Sequence, residues 1–337
     1  MRRALLAYLV CPLCRSELSA ELAPPETDGH HMSGQLSCER CARVYRIVDG
    51  IPQMVVTPQE PGGAATTFTY EWRKHGEGSL ETETLWGRTR EEELGYVLRG
   101  MDLRREDLAN TVILDAGCGS GRVIETLGHQ DATAVVGVDV HGALGFALRR
   151  SRDLPNVHVV RADILALPFR PATFDLVYSS GVIHHLPNPR LAFDALAQQV
   201  RTGGKLYVWV YERRRSPFVF VRDLLERFGL HRVPLGVLFQ LCKVVAVISL
   251  VLHGLYRAVR ALPPLRPHGI SAFKTTRYRS RQEFELTWFD ALSPRYAWLY
   301  DETTVRGWFT ERGFDGLVMN PHPVGVCGIK THRPAEA

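Results

Sequence analysis

The segment Val112-Ile-Leu-Asp-Ala-Gly-Cys-Gly-Ser-Gly121 constrains this chain more than any other. Thr111 to Leu114 are apolar or β-branched and suit a short buried strand, which runs into Asp115 and a turn in which Gly117, Gly119 and Gly121 alternate with Cys118 and Ser120. Glycine takes positive φ at little cost and lets a backbone come close to a ligand. A strand, a glycine-rich turn and a helix starting near Arg122 together describe a nucleotide-type cofactor site.

Further along, the strand Ala134–Val138 ends in Asp139, 18 positions after Gly121. An acid there is placed to accept hydrogen bonds from ribose hydroxyls. A third strand, Val157–Arg161, leads into Ala162-Asp163, where the carboxylate can accept from an exocyclic adenine amine. A fourth strand, Phe174–Tyr178, opens into Ser179-Ser180-Gly181-Val182-Ile183-His184-His185-Leu186. After a helix, the turn Thr202-Gly203-Gly204 precedes a fifth strand, Lys205–Tyr211.

On these residues the chain resembles the class I S-adenosylmethionine-dependent methyltransferases, over roughly residues 66–331 with an interruption. The resemblance implies an α/β Rossmann-like fold, a mostly parallel sheet of seven strands in the order 3-2-1-4-5-7-6. It also implies that Asp115, Ala116, Gly117, Gly119 and Gly121 hold the methionine moiety, Asp139 the ribose, and Ala162 with Asp163 the adenine. Ser180 and Gly181 would then lie at the cofactor on the strand-four loop that faces the methyl group. The alternative is a NAD-type dinucleotide fold, whose G-x-G-x-x-G fingerprint is not met, because position 122 is Arg.

Cys11-Pro-Leu-Cys14 and Cys38-Glu-Arg-Cys41 form two C-x-x-C knuckles with 23 residues between them. Two such knuckles close a tetrahedral Zn²⁺ site that leaves no position open for water, so the metal is expected to be structural. A redox dithiol is the other chemistry open to this spacing. With the following Val44–Met54 stretch, the module resembles the small zinc-ribbon proteins that activate partner methyltransferases. A stabilising platform or a substrate-recruiting arm are the two roles it suits. The expected organisation is a ribbon over 1–56, a linker over 57–65 and a methyltransferase domain over 66–337. Phe68-Thr-Tyr-Glu-Trp72 either folds over the cofactor or packs on the sheet.

An insertion over 216–267 departs from a minimal member of the fold. Phe218 to Phe228 reads as a short helix. A long helix after Pro234 repeats Val237, Leu241, Val244, Ile248, Leu252, Leu255, Val259 and Leu262 at steps of three and four, and Pro263-Pro264 ends it. The periodic face is expected to pack on the catalytic domain as a lid. A membrane-surface helix over 217–262 is a second reading, and a membrane span a third that Lys243 argues against. Residues 201–285 hold 16 Lys/Arg against 5 Asp/Glu, a balance of +11 in a chain of net +5, so the positive charge is concentrated here.

His184 and His185 follow strand four, and one of them, His184 by preference, is a candidate general base. Tyr211, Tyr296 and His322 are lesser candidates for acceptor contacts. Trp288–Tyr296 is expected as an active-site loop, and Leu317–Asn320 with Val324–Lys330 as the last two strands. Amino-methylating nucleic-acid enzymes of this fold carry an Asn/Asp-Pro-Pro-aromatic turn where this chain has Ser179-Ser-Gly-Val, and no cysteine stands there for attack on cytosine. The expected acceptor is a small or lipid-linked, partly apolar molecule. An RNA acceptor is the second choice, and a non-catalytic S-adenosylmethionine-binding scaffold the third. Seven cysteines, four in knuckles, suit a reducing cytoplasm, with peripheral attachment to the inner membrane face as a corollary of the membrane-surface reading.

Overall fold

The computed structural model describes residues 1–59, 63–78, 88–213, 229, 232–261, 280–319 and 324–331. The helix expected over Phe218 to Phe228, Pro263-Pro264 and His322 lie outside them.

The N-terminal module is a four-stranded antiparallel sheet, β1 (Ser19–Leu22), β2 (Gly34–Ser37), β3 (Val44–Val48) and β4 (Ile51–Pro52), in sequential order. Tyr45 and Ile47 alternate inward along β3 while Val44, Arg46 and Val48 face out, the period-two pattern of a sheet with one covered face. Its core is not separate. Met1, Leu5, Leu9, Leu36, Tyr45, Ile47 and Met54 belong to one apolar cluster with Val160, Ile164, Phe169 and Phe193 of the larger domain.

Helices α1 (Ala64–Gly76) and α2 (Arg90–Met101) come next. A Thr89/Glu92 capping box and three acids in the first turn fix the start of α2. The larger domain then alternates strands and helices: β5 (Val112–Ala116), α3 (Arg122–Gly128), β6 (Ala134–Asp139), α4 (Gly145–Arg150), β7 (Val157–Arg161), β8 (Phe174–Ser180), α5 (Pro189–Gln199) and β9 (Val200–Trp209). The chain continues through α6 (Leu235–Ala261), α7 (Arg281–Leu292), α8 (Glu302–Glu311), β10 (Phe314–Met319) and β11 (Gly325–Lys330).

The seven strands β5 to β11 pair in the order β7-β6-β5-β8-β9-β11-β10, with β5 to β9 parallel and β11 antiparallel to both its neighbours. Numbered from β5, this is the expected 3-2-1-4-5-7-6. Strand order reverses between β5 and β8, and a ligand of such a sheet lies outside the carboxyl ends at that switch point.

The N-terminal module covers the edge strand β7. Met54 N–H donates to the Arg161 carbonyl at 2.7 Å and Val10 N–H to the Pro168 carbonyl at 2.8 Å. The Arg2 and Arg15 guanidinium groups reach the Leu154 and Leu167 carbonyls at 2.8 and 2.7 Å. An open edge is a liability for self-association, and here the module closes it.

Four local expectations need correction. The fifth strand starts at Val200 and runs through the Thr202-Gly-Gly turn, ending at Trp209. Trp288–Leu292 is the end of a helix capped by Ser280 and Glu283, and only Ser293–Tyr296 is loop. The last hairpin starts earlier, at Phe314. Most consequential is α6: it packs on α7 through Leu238, Phe239 and Cys242, while Val237, Leu241, Val244, Ile248, Leu252 and Leu255 of the expected packing face are exposed.

Candidate cofactor and acceptor site

The glycine loop leaves β5 at Ala116. Gly117, Gly119 and Gly121 all have positive φ, at 88°, 51° and 82°. A Cβ on Gly117 would stand 2.3 Å from the Val182 side chain, and one on Gly119 would stand 2.7 Å from the Trp72 ring. Trp72 of α1 therefore packs directly on the loop, while Tyr70 of the same segment packs on Phe239 and Phe289.

Asp139, at the tip of β6, accepts from the Gly119 N–H at 3.0 Å through one carboxylate oxygen and from the Val140 and His141 N–H groups through the other. It ties the loop to the second strand. Asp163 caps a short 3₁₀ turn through the Leu165 N–H and accepts from the Thr57 hydroxyl at 2.5 Å, so the acid after β7 anchors the linker from the N-terminal module. Ala162 is buried beside it. Asp115 is fully buried and keeps one carboxylate oxygen without a hydrogen-bond partner. Burial, with Asp139 and Glu93 adding, pushes its acid well above the usual carboxylate range.

Ser180 ends β8, and the Gly181 N–H donates to the Trp209 carbonyl at 3.0 Å. The next turn, Ile183–His185, is buried. His184 lies between two rings, with centroids 4.1 Å from His185 and 3.9 Å from Tyr211. Phe68 of α1 stands 5.3 Å from His185, edge on. His185 Nδ1 lies 2.9 Å from the Tyr296 carbonyl oxygen. A carbonyl only accepts, so Nδ1 carries the proton, and in the neutral ring Nε2 holds the lone pair. Tyr211 donates its hydroxyl to Asp290 of α7 at 2.5 Å. The Trp298 N–H donates to the His184 carbonyl, and its indole N–H to that of Leu186, fixing the turn from the far side.

In the N-terminal module the four knuckle sulfurs lie within 4.8 Å of one another, with Cys11–Cys41 at 3.6 Å and Cys14–Cys38 at 3.3 Å. Tetrahedral Zn²⁺ with 2.3 Å bonds would set such edges at about 3.8 Å. The two knuckles are built alike. Arg15 and Ala42, each following the second cysteine, have φ near 62° and 54°. The first cysteine of each closes its turn on a carbonyl, Cys11 on Ser16 and Cys38 on Arg43. The donor set fits zinc, and a redox dithiol would need only one of these pairs.

Residues 114–208 match the methyltransferase domain family, and residues 2–50 match the family described as Trm112p-like protein. The chain joins a methyltransferase domain to a Trm112p-like domain. Among its relatives, a tRNA U34 carboxymethyltransferase of Pseudoalteromonas atlantica is 32% identical over 104 residues, 30% of this chain and 32% of that protein. A ubiquinone biosynthesis O-methyltransferase of Xylella fastidiosa is 31% identical over 120 residues, 34% of this chain and 48% of that protein. A solved structure of the N-methyltransferase NodS from Bradyrhizobium japonicum with S-adenosyl-L-homocysteine is 20% identical, with a TM-score of 0.38, over 49% of this chain and 77% of that one. The chain spans between 24% and 66% of the length of the first curated relatives it matches.

The methyltransferase domain fits S-adenosylmethionine at two places. The loop admits no side chain at Gly117 or Gly119, and the unpartnered Asp115 oxygen is a buried acceptor that a ligand's ammonium group would satisfy. The sequence did not single out two further acids, Glu71 and Asp290. Glu71 is fully buried on α1, with both carboxylate oxygens unpartnered. Burial first, then the nearby Asp290, pushes it well above the usual range. Asp290 lies deep in the protein but keeps some accessible surface. Burial raises it too, opposed by the Tyr211 hydroxyl and, whenever the ring is protonated, by His185, which lower it.

Glu71 has a consequence for stability. Between an unfolded carboxyl value of about 4.3 and the raised folded one, the unfolded chain has released a proton that the folded chain keeps. Stability therefore falls as pH rises through that window. Glu71→Gln is expected to melt like the wild type near about pH 4 and above it at about pH 8. Parallel melting curves for the two proteins across that range would contradict a protonated Glu71.

Proposed function

We propose that this protein transfers a methyl group from S-adenosylmethionine to a hydroxyl, or another nucleophilic atom, of a small or lipid-linked, partly apolar acceptor. The observation that carries the reading is the polar cluster His185, Tyr211 and Asp290 set among the rings of Phe68, His184 and Trp209, beyond the carboxyl ends of β8 and β9. Aromatic rings around a few convergent polar groups suit an acceptor that is largely apolar and presents one reactive atom.

S-adenosylmethionine supplies a sulfonium methyl that is open to in-line attack. This chain's residues do the rest. The glycine loop holds the methionine end and Asp139 the ribose, and the aromatic walls exclude water and align the acceptor. His185 is the base in this reading, in place of His184. Its Nδ1–H is held by the Tyr296 carbonyl, and Nε2 is the atom that would take the acceptor's proton. Asp290 would stabilise the imidazolium that results and, through Tyr211, orient the acceptor.

An RNA acceptor is the second reading. It is favoured by the relative named for tRNA U34 and by the +11 balance of residues 201–285. Labelled S-adenosylmethionine incubated with separated lipid, RNA and small-molecule extracts distinguishes the two. Label is expected in the lipid or apolar small-molecule fraction, and His185→Gln should lower transfer by about 10²–10⁴-fold while leaving cofactor binding intact. Label confined to RNA would replace the first reading with the second.

A further inference from the structure

The longest helix of the chain is apolar on two opposite faces. One face of α6, made by Leu238, Phe239, Cys242 and Ala246, is buried, and the first three share a core with Phe289 and Leu292 of α7. On the other, Val237, Leu241, Val244, Ile248, Val251 and Leu255 are each between 51% and 59% exposed. At about 100° per residue these six fall within a stripe roughly 80° wide, running some 27 Å along the helix. A continuous aliphatic strip of that length in water marks a contact surface.

The chemistry of the strip points to its occupant. It has no Tyr, Trp or Arg, the residues that anchor protein interfaces. Residues 235–261 contain no Asp or Glu, and they sit within the region of +11 balance. A second copy of the chain would set two such basic regions against each other. A bilayer with anionic headgroups instead offers acyl chains to the strip and phosphates to the Lys and Arg that this stretch of sequence carries.

Leu235–Leu252 is long and apolar enough to cross a membrane by composition. Its second face is nevertheless held by the protein, with the Trp288 indole N–H donating to Ser249 Oγ at 2.9 Å and Lys243 over the Phe239 ring at 5.0 Å. That geometry fits a helix lying in the plane of the surface.

We propose that α6 docks the protein on an anionic membrane, with the Val237–Leu255 stripe seated among the lipid chains. The inference does not depend on the identity of the acceptor, because the test uses lipid alone and reads binding. The full chain is sedimented with vesicles of phosphatidylglycerol and phosphatidylcholine, and with vesicles of phosphatidylcholine only. The wild type is expected to pellet with the anionic vesicles at low salt and less at high salt, where the charges are screened. Ile248→Ser combined with Val251→Ser removes apolar area at exposed positions and should weaken binding by about tenfold or more. Melting and cofactor titration of that variant should match the wild type. A wild type that stays in the supernatant at low salt, or a variant that pellets equally well, overturns the proposal. A concentration-dependent dimer that the variant loses, with no vesicle binding by either protein, assigns the stripe to a second copy and overturns it too.

Discussion

Cys38→Ser is expected to destabilise the whole chain, well beyond the N-terminal module that holds the cysteine. Cys38 is buried and supplies one of four sulfurs whose mutual distances match a tetrahedral zinc site. Zinc binding in isolated small domains is worth about 10–16 kcal/mol and is largely folding free energy, so loss of one thiolate in four should cost several kcal/mol. In a ribbon on a flexible tether that loss would stay local. Here Leu5, Leu9, Leu36, Tyr45 and Met54 share one core with Val160, Ile164 and Phe169, and the module covers the edge strand β7. Unfolding the ribbon would expose both surfaces. The expected result is about one zinc per wild-type chain by metal analysis. For the variant, a single melting transition lowered on the order of 10 °C or more is expected. Two separate transitions, with the higher one unmoved, would show that the ribbon and the methyltransferase domain fold independently.

Gly119→Val is expected to abolish S-adenosylmethionine binding. At φ 51° a β-branched residue is strained before any contact is considered, and its Cβ would stand 2.7 Å from the Trp72 ring. The loop and α1 cannot both keep their places. Gly119 also donates its N–H to Asp139, so a shifted loop releases the acid placed to receive the ribose. Asp139→Ala removes that acid while leaving the glycine loop unencumbered. It should weaken binding by about 1.5–3 kcal/mol, the value of charge-assisted hydrogen bonds.

The parts of the site legible in the sequence are those whose chemistry is written in short spacings. The alternating glycines, the acids at strand ends and the two C-x-x-C knuckles each need a fixed residue type at a fixed step, and the structure brings each group together. Glu71 and Asp290 show no such signal. Glu71 is the one acid of α1 and Asp290 one of three in α7, helices of mixed character whose charged residues normally mark a solvated face. They meet only because α1 and α7, more than two hundred residues apart in sequence, are neighbours. The insertion failed to read correctly for a related reason. Periodicity shows that a helix has an apolar stripe but says nothing of what covers it. The stripe from Val237 to Leu255 is as regular as a core face, yet the less regular set Leu238, Phe239, Cys242 and Ala246 is the buried one. The fused core between the ribbon and the larger domain was equally out of reach. Arg2 and Arg15 reach backbone carbonyls about 150 positions away, which no local pattern encodes.

The central claim, that the glycine loop and Asp139 form an S-adenosylmethionine site, is tested most directly by calorimetric titration of the purified chain with that cofactor. The account predicts saturable binding at one site per chain, weakened by about 10–150-fold in Asp139→Ala and undetectable in Gly119→Val. A folded, zinc-loaded wild type that releases no heat and gains no thermal stability with S-adenosylmethionine would contradict it, as would an Asp139→Ala protein with unchanged affinity.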